Sequence, residues 1–289
     1  MKVTLITPPS LNVEPLIPVL RSKGVEVLVN SIHPECDFII NTGQAYINLL
    51  EIFHTNFPSI PIVNLTLDFY KTVWHAPNPH GYDWAKYRSY LHKCVELWCI
   101  SNEVITRMKE EGVEPDRCRL MKIWARLFDY EGEVVDKRYV LNAMRPYVAD
   151  KNYGWLKRAC SELQIPVVEP NHGLSEEEFQ KLIAECSFMC TEYHEMSTGG
   201  LTLLEGYKLG KVSVVSDSPY EGARDYLGDR AIYFDDNSYE DFKRVIKETW
   251  DNTPTLNRKE CEEFCDAHPT KEDMVDQMIE RLQSLKEGE

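Results

Sequence analysis

Residues 197–217 read STGGLTLLEGYKLGKVSVVSD, and this stretch decides the fold prediction. Gly199 and Gly200 precede an apolar helical pattern from Leu201 to Leu209, and Gly210 is a typical residue at a helix C-terminus. The run from Val212 to Ser216 is short and rich in valine, which is typical of a buried strand. Because a helix followed at once by a buried strand is half of a βαβ unit, the stretch predicts a parallel sheet covered by helices.

The glycine pair also predicts an anion site. Glycines lack a Cβ, so the backbone can approach an anion closely, and the free N–H groups of the first helical turn then donate to it. Glu205 lies about two turns after Ser197, and a carboxylate there suits the capture of ribose hydroxyls. The residues alone leave an alternative open: a flexible loop before an ordinary core helix, with Glu205 exposed.

The same alternation of short β-branched runs with longer amphipathic stretches occurs twice along the chain. In the first half, the predicted strands are Val3 to Ile6, Val25 to Asn30, Asp37 to Asn41, Ile60 to Leu65, Leu97 to Ser101 and Arg119 to Ile123. In the second half, they are Arg138 to Ala143, Ile165 to Val168, Ser187 to Cys190, Val212 to Ser216 and Ala231 to Phe234. The predicted fold class is therefore α/β, with two Rossmann-like parallel-sheet domains that face a cleft.

Helices are predicted between these strands, and Ser175 with Glu178 has the pattern of a capping box at the start of one of them. The predicted helices are Val13 to Lys23, Tyr46 to His54, Asn102 to Glu111, Tyr153 to Leu163, Glu176 to Cys186, Leu201 to Leu209, Glu221 to Leu227, and terminal helices from Tyr239 onward. The segment from Val73 to Trp84 is predicted to be a loop, because two prolines and a glycine interrupt it.

The domain boundary is predicted near the acidic and polar stretch from Tyr130 to Lys137. It divides the chain into an N-terminal domain, residues 1–134, and a C-terminal domain, residues 135–289, whose last helix is expected to pack back on the first domain. With 289 residues, two domains of ordinary size fit the chain.

The composition restricts the class of partner. The chain is 43% hydrophobic and 27% charged, as globular proteins are, and its formal net charge is -15. Nucleic-acid binding gains most of its affinity from Lys and Arg that displace counterions, so DNA or RNA is not expected as a bulk partner. A few positioned cations still suffice to bind one diphosphate.

The cysteines and the apolar runs indicate the compartment. The chain has nine cysteines, scattered through apolar segments, which predicts reduced thiols and a cytoplasmic protein. Cys186 with Cys190 and Cys261 with Cys265 have helix-compatible spacing for a metal, but core packing is the expected role. No run is long and apolar enough to predict a transmembrane segment or a signal peptide.

Beyond these physical patterns, residues 197–217 resemble the C-terminal domain of the GT-B-fold glycosyltransferases, in particular the large retaining family 4 type. That family has two glutamates eight positions apart around a glycine-rich helix start, then Gly-Lys-Pro-Val and a strand that ends in Ser-Asp. Gly200, Leu201 and Glu205 match the second glycine, the leucine and the second glutamate, and Gly210-Lys211 and Ser216-Asp217 match the tail. The resemblance implies that Gly199, Gly200 and Leu201 hold a donor diphosphate and that Glu205 holds the donor ribose. Thr202 is a further predicted donor-binding residue.

A second segment extends the resemblance. The residues YVLNAMR at 139–145, followed by DKN at 150–152, are similar to a family segment in which Arg and Lys neutralise the departing diphosphate. Arg145 and Lys151 occupy those places, and two fixed cations can stabilise the developing charge without a metal. The resemblance also places His172, in the segment NHGLS at 171–175, where the family contacts the nucleotide base. The structural alternative for these residues is surface or core packing.

The sequence departs from the family at two catalytic places. Ser197 stands where the family has its first glutamate, with Glu195 as a substitute two positions earlier. On the acceptor side, Leu67 stands at the histidine place, and Asp68 keeps the acid that follows it. His75 and His80 lie in the next loop and are alternatives for the histidine.

These observations predict a hexosyltransferase-like enzyme that moves a sugar from a UDP- or GDP-type nucleotide sugar to a hydroxyl acceptor. The expected acceptor is a glycan, a lipid-linked molecule or a small molecule. Retention of configuration and independence of a metal or other cofactor are expected from the resemblance. The departures at Ser197 and Leu67 motivate an alternative, a catalytically degraded nucleotide- or sugar-binding partner protein. An NAD-dependent oxidoreductase is weaker, because no G-x-G-x-x-G follows the first strand.

Overall fold

The structure is a computed structural model of the whole chain, and it describes residues 1–7, 13–43, 46–66, 84–122, 124, 130–143, 154–170, 174–191, 201–217 and 223–288. The described chain forms two compact units. One contains Met1–Ala125 together with Pro269–Glu289, and the other contains Arg126–His268.

The first unit contains a parallel sheet of six strands, in the spatial order β2-β1-β3-β4-β5-β6. These strands are β1 (Lys2–Ile6), β2 (Glu26–Val29), β3 (Phe38–Asn41), β4 (Ile62–Thr66), β5 (Glu96–Cys99) and β6 (Cys118–Leu120). All residues of β3, β4 and β5 are buried, as expected for parallel strands covered on both faces.

The first unit has five α-helices in its described part. They are α1 (Leu16–Ser22), α2 (Ile47–Asn56), α3 (Trp84–Leu91), α4 (Asn102–Glu110) and, near the C-terminus of the chain, α11 (Lys271–Glu287). Ser101 caps α4, and its side chain accepts a hydrogen bond from the Val104 backbone N–H. Met274, Val275, Met278 and Leu282 form the buried side of α11. The helix therefore belongs to the core of the first unit.

The second unit contains a parallel sheet of five strands, in the spatial order β11-β10-β9-β7-β8. These strands are β7 (Val140–Asn142), β8 (Val167–Val168), β9 (Phe188–Thr191), β10 (Ser213–Ser216) and β11 (Ile232–Phe234). Successive strands are joined through helices, so the connections are the predicted βαβ units.

The helices of the second unit are α5 (Trp155–Leu163), α6 (Glu176–Glu185), α7 (Leu201–Lys208), α8 (Ala223–Leu227), α9 (Tyr239–Asp251) and α10 (Arg258–Asp266). The helices α5 and α9 pack with Val140, Phe188 and Val214 on one face of the sheet. Residues of α6 pack with Leu141 and Met189 on the other face. The predicted capping box at Ser175 and Glu178 is present, with both reciprocal hydrogen bonds.

The two units divide at 125/126, earlier than the boundary expected at 134/135. The reason is that Tyr130 and Val134 pack against the apolar cluster of the second unit. The Val135 N–H also donates to the Ala184 carbonyl, at 3.1 Å. These contacts attach the acidic stretch before β7 to the second unit.

Candidate functional site

The strand order of the second unit marks one place on its sheet as suited to a ligand. The chain passes from β7 outward to β8 and then returns to the other side of β7 to form β9. The connections that leave β7 and β9 therefore diverge at the carboxyl edge of the sheet. In open parallel sheets, ligands bind in the crevice at such a switch point.

Polar residues end three neighbouring strands at this edge. Asn142, Thr191 and Ser216 are the last residues of β7, β9 and β10, and all three are buried. Within the part of the chain that the structure describes, the hydroxyls of Thr191 and Ser216 have no hydrogen-bond partner. Because buried polar groups are usually paired, unpaired hydroxyls are most easily explained where a ligand or water supplies the partner.

The predicted helix start follows β9. The helix α7 begins at Leu201, directly after Gly200 in the sequence, and Thr202 and Glu205 are half-buried on it. Gly206 brings this helix close to the sheet: a Cβ there would overlap Met189 Sδ on β9. A methyl group at Gly206 would therefore require Met189 or α7 to shift.

Most of the predicted site residues lie outside the described residues. They are Asp68, Arg145, Lys151, His172, Ser197, Gly199 and Gly200, and of Leu201 only the backbone is described. Their positions in the chain are informative, because each follows a described parallel strand. Arg145 and Lys151 follow β7, His172 follows β8, and Ser197 to Gly200 follow β9. The structure therefore describes the strands that lead to these residues.

At the same edge, one carboxylate joins two elements. The Asn142 Nδ2 donates to Glu169 Oε1 at 3.3 Å, and Lys157 Nζ lies 2.7 Å from Glu169 Oε2. Glu169 directly follows β8, and Lys157 is in the first turn of α5. This cluster was not predicted from the sequence.

Besides Lys157, a second cationic side chain, Arg224, lies at the carboxyl edge of this sheet. Arg224 Nε donates to Asp217 Oδ1 at 2.9 Å, and its guanidinium stacks on the Tyr233 ring, with 4.0 Å between Cζ and the ring centroid. The hydrogen bonds to Asp217 raise the pKa of Arg224 further. Asp217, which the resemblance matched to the end of the family motif, therefore orients an arginine here.

Lys211, matched to the same motif, lies at the opposite end of the sheet. Its Nζ donates to the Cys186 carbonyl at 2.7 Å and to the Val135 carbonyl at 3.1 Å. Burial lowers the pKa of Lys211. These bonds tie the segments that precede β7 and β9, so the contacts of Lys211 are structural.

The first unit has its own buried polar cluster at a carboxyl edge. Asn41, the last residue of β3, donates from Nδ2 to Asn64 Oδ1 at 2.6 Å and to the Gly43 carbonyl at 2.9 Å. Asn64 in turn donates from Nδ2 to Thr66 Oγ1 at 2.7 Å and to the Tyr87 hydroxyl at 3.0 Å. The predicted acceptor-side residue Asp68 follows Thr66 closely in the sequence but is outside the described residues. Asparagines in two mainly apolar strands mark the polar positions of this cluster in the sequence, but they do not show that the two side chains pair.

The described part of the chain holds no group of three or more His, Cys, Asp or Glu side chains placed to bind a metal ion. All nine cysteines are buried and unpaired by disulfides, and burial raises the pKa of Cys186 to about 12. No helix among the described residues is long and apolar enough to cross a membrane.

No protein-family model matches the sequence, and no curated protein matches it. Solved structures do match. HepE of Anabaena, in complex with UDP and glucose, has a TM-score of 0.68 at 11% identity, over 98% of this chain and 100% of that chain. Sucrose-phosphate synthase of Thermosynechococcus elongatus has a TM-score of 0.70 at 10% identity, over 100% of both chains. A glycosyltransferase of Rickettsia africae has a TM-score of 0.66 at 10% identity, over 98% of both chains.

These likenesses show the fold. The chain is similar over nearly its whole length to proteins built from two Rossmann-like domains, and its own two parallel sheets agree with that architecture. The predicted fold class, two Rossmann-like parallel-sheet domains of the GT-B type, is therefore confirmed.

Proposed function

We propose that the chain is a glycosyltransferase that moves a sugar from a nucleoside diphosphate sugar to a hydroxyl acceptor, with retention of configuration and without a metal ion. One observation carries the proposal. Arg145 and Lys151 follow β7 in the sequence, and the Gly199-Gly200 pair follows β9, and these two strands flank the switch point of the sheet. HepE, whose structure contains UDP and glucose, supports the same class of donor.

The proposed roles follow from the charge that develops in the reaction. When the bond between the sugar and the diphosphate breaks, negative charge increases on the diphosphate oxygens. The guanidinium of Arg145 and the ammonium of Lys151 would neutralise it. The backbone N–H groups of residues 199–202 would donate to the same phosphates, and Glu205 would accept from the ribose hydroxyls.

The remaining predicted residues complete the site. Ser197 would face the donor sugar in place of the family's glutamate, and His172 would contact the base. Asp68 is the proposed participant on the acceptor side. The acceptor is proposed to be a glycan, a lipid-linked molecule or a small molecule that carries a free hydroxyl.

The test begins with binding. The midpoint of thermal unfolding is measured with UDP, GDP and ADP, because a ligand at a hundred times its Kd adds about 2.7 kcal/mol to the stability of the folded state. We expect UDP or GDP to raise the midpoint. If none of the three does so at millimolar concentration, the proposal fails.

Turnover is then measured with the nucleotide sugar that corresponds to the best ligand, with and without EDTA. We expect slow release of the nucleoside diphosphate, unchanged by EDTA, and loss of that release in Arg145→Met and Lys151→Met. Loss of activity on EDTA treatment would reject the metal-free mechanism. Binding without any turnover would instead identify a catalytically degraded binding protein.

A further inference from the structure

Thr191 ends β9 with a buried hydroxyl that has no partner. The residue is 2% exposed, and within the described ranges its Oγ1 has no hydrogen bond. A buried hydroxyl without a hydrogen bond costs free energy, so proteins rarely keep one unless a ligand or water completes it. The place of Thr191 in the sheet indicates which ligand would do so.

The position of α7 over β9 follows from one contact. A Cβ at Gly206 would overlap Met189 Sδ, so Gly206 stands directly over Met189. The helix runs antiparallel to the strand, because it leads from the carboxyl end of β9 to the amino end of the parallel strand β10. The first turn of α7 is therefore at the carboxyl edge of the sheet.

Thr191 lies under this first turn. Alternate residues of a strand share a face of the sheet, so Thr191 faces α7 as Met189 does, about 6.6 Å nearer the carboxyl edge. Four residues back from Gly206, the helix has moved about 6 Å in the same direction and has reached Thr202. The unpaired hydroxyl of Thr191 is therefore level with the start of α7.

The start of α7 is suited to an anion, because the first turn of a helix has free backbone N–H groups and a partial positive charge. A hydroxyl beside it can donate one further hydrogen bond to the same anion. We propose that Thr191 Oγ1 donates a hydrogen bond to a phosphate oxygen of a nucleoside diphosphate bound at the start of α7. This inference rests on the proposed function and adds to its site a contact from the sheet.

The variant Thr191→Val tests the hydroxyl. Valine has the shape of threonine without the hydroxyl, so it removes an unpaired polar group from the free protein and a donor from the complex. We expect a higher midpoint of thermal unfolding without ligand. We also expect the preferred nucleoside diphosphate to bind about ten- to hundredfold more weakly, the range for a hydrogen bond to a charged group. Opposite changes in stability and affinity indicate a ligand contact, because damage to the fold would lower both.

The variant Thr191→Ser tests packing at the same position. It keeps the hydroxyl and loses a buried methyl group, so the unfolding midpoint should fall. Its affinity for the nucleotide should stay close to that of the native chain. Calorimetry with UDP and GDP measures the Kd for each variant, and thermal unfolding without ligand measures the stability.

Ser213→Ala is the matched control. Ser213 is the first residue of β10 and pairs in register with Met189, so it lies on the same face of the sheet as Thr191. It is 2% exposed, and its Oγ also has no hydrogen bond to the described chain. Ser213 is level with Gly206, one helical turn below the start of α7. Removal of its hydroxyl should therefore leave nucleotide affinity unchanged.

The outcomes separate the two claims. If no nucleoside diphosphate binds the native chain, the proposed function fails and the role of Thr191 fails with it. If one binds the native chain and binds Thr191→Val equally well, only the role of Thr191 is overturned. Losses of affinity in Thr191→Ser or Ser213→Ala equal to that in Thr191→Val would also overturn it, since they indicate packing. A lower unfolding midpoint for Thr191→Val would overturn it too, because Oγ1 would then have a partner in the free protein.

Discussion

The Nε of Arg281 donates to both carboxylate oxygens of Glu96, at 2.9 Å and 2.8 Å, although 185 residues separate the two in the sequence. Glu96 is the first residue of β5, and its side chain is only 2% exposed. The same carboxylate accepts from Arg119 Nε at 2.9 Å and from Trp98 Nε1 at 3.0 Å. A buried carboxylate is tolerated when several donors satisfy it, and one of these donors comes from the C-terminal helix α11.

We expect Arg281→Met to destabilise the first unit by about 1–3 kcal/mol, because Glu96 stays buried while it loses its two bonds from α11. Urea unfolding, followed by the fluorescence of the tryptophans, measures the change. Lys286→Met is the control on the same helix, since Lys286 pairs with Asp37 at 2.8 Å in an exposed position. That variant should cost less than about 1 kcal/mol. Equal losses of unfolding free energy in the two variants would contradict the prediction that the bonds to the buried Glu96 carboxylate stabilise the first unit more than the exposed ion pair does.

Asn64 connects the polar cluster of the first unit, and we expect Asn64→Leu to cost about 2–3 kcal/mol. The variant leaves the Asn41 amide and the Tyr87 hydroxyl each without one buried hydrogen-bond partner. The same unfolding measurement applies. Asn56→Leu is the control, because Asn56 Nδ2 donates to the Ile52 carbonyl at the exposed end of α2. An unchanged free energy of unfolding in Asn64→Leu would contradict a stabilising role for these hydrogen bonds.

Gly206→Ala should destabilise the second unit by about 1–3 kcal/mol, since the added methyl group overlaps Met189 Sδ in a fully buried contact. The gain in helix propensity offsets only part of this cost. The decisive measurement is a double-mutant cycle with Met189→Ala. In the Met189→Ala background the methyl group enters vacated space, and Gly206→Ala should then be neutral or stabilising. If the losses of unfolding free energy simply add in the double variant, the overlap with Met189 is not the reason that Gly206→Ala destabilises the protein.

The strands were predictable because buried parallel strands are almost continuously apolar. The sequences FIIN at β3 and SVVS at β10 are short runs between turn-forming residues, and a buried strand is the structure that such runs indicate. Helix α3 was not predicted: its N-terminus falls at the end of a segment whose prolines and glycine indicate a loop. The pattern that would have predicted this helix is the spacing of Tyr87, Tyr90 and Leu91. These three residues are buried and lie on one helix face.

The site was predictable only where its residues are neighbours in the sequence. The glycine pair before α7 is such a local pattern, and the resemblance supplied Arg145 and Lys151. By contrast, Asn142 and Glu169 are 27 residues apart, and Asn41 and Asn64 are 23 apart. Sheet register brings each pair together, and no local pattern in the sequence reports the register of parallel strands.

The acid stability of the second unit provides a last test, at Glu162. Hydrogen bonds from Lys243 and Arg158 hold the pKa of this carboxyl down to about 2, against an ordinary value of 4.5. The native state therefore binds fewer protons than the unfolded state between these two pH values, so the contribution of Glu162 is present above about pH 4.5 and is lost as the pH falls toward 2. Glu162→Gln imitates the protonated side chain at every pH. We expect its unfolding midpoint to lie below that of the native chain near pH 7 and to approach it at pH 3. High salt should reduce the difference, because both ion pairs are exposed. A difference that stays constant from pH 7 to pH 3 would exclude the ion pairs as its cause.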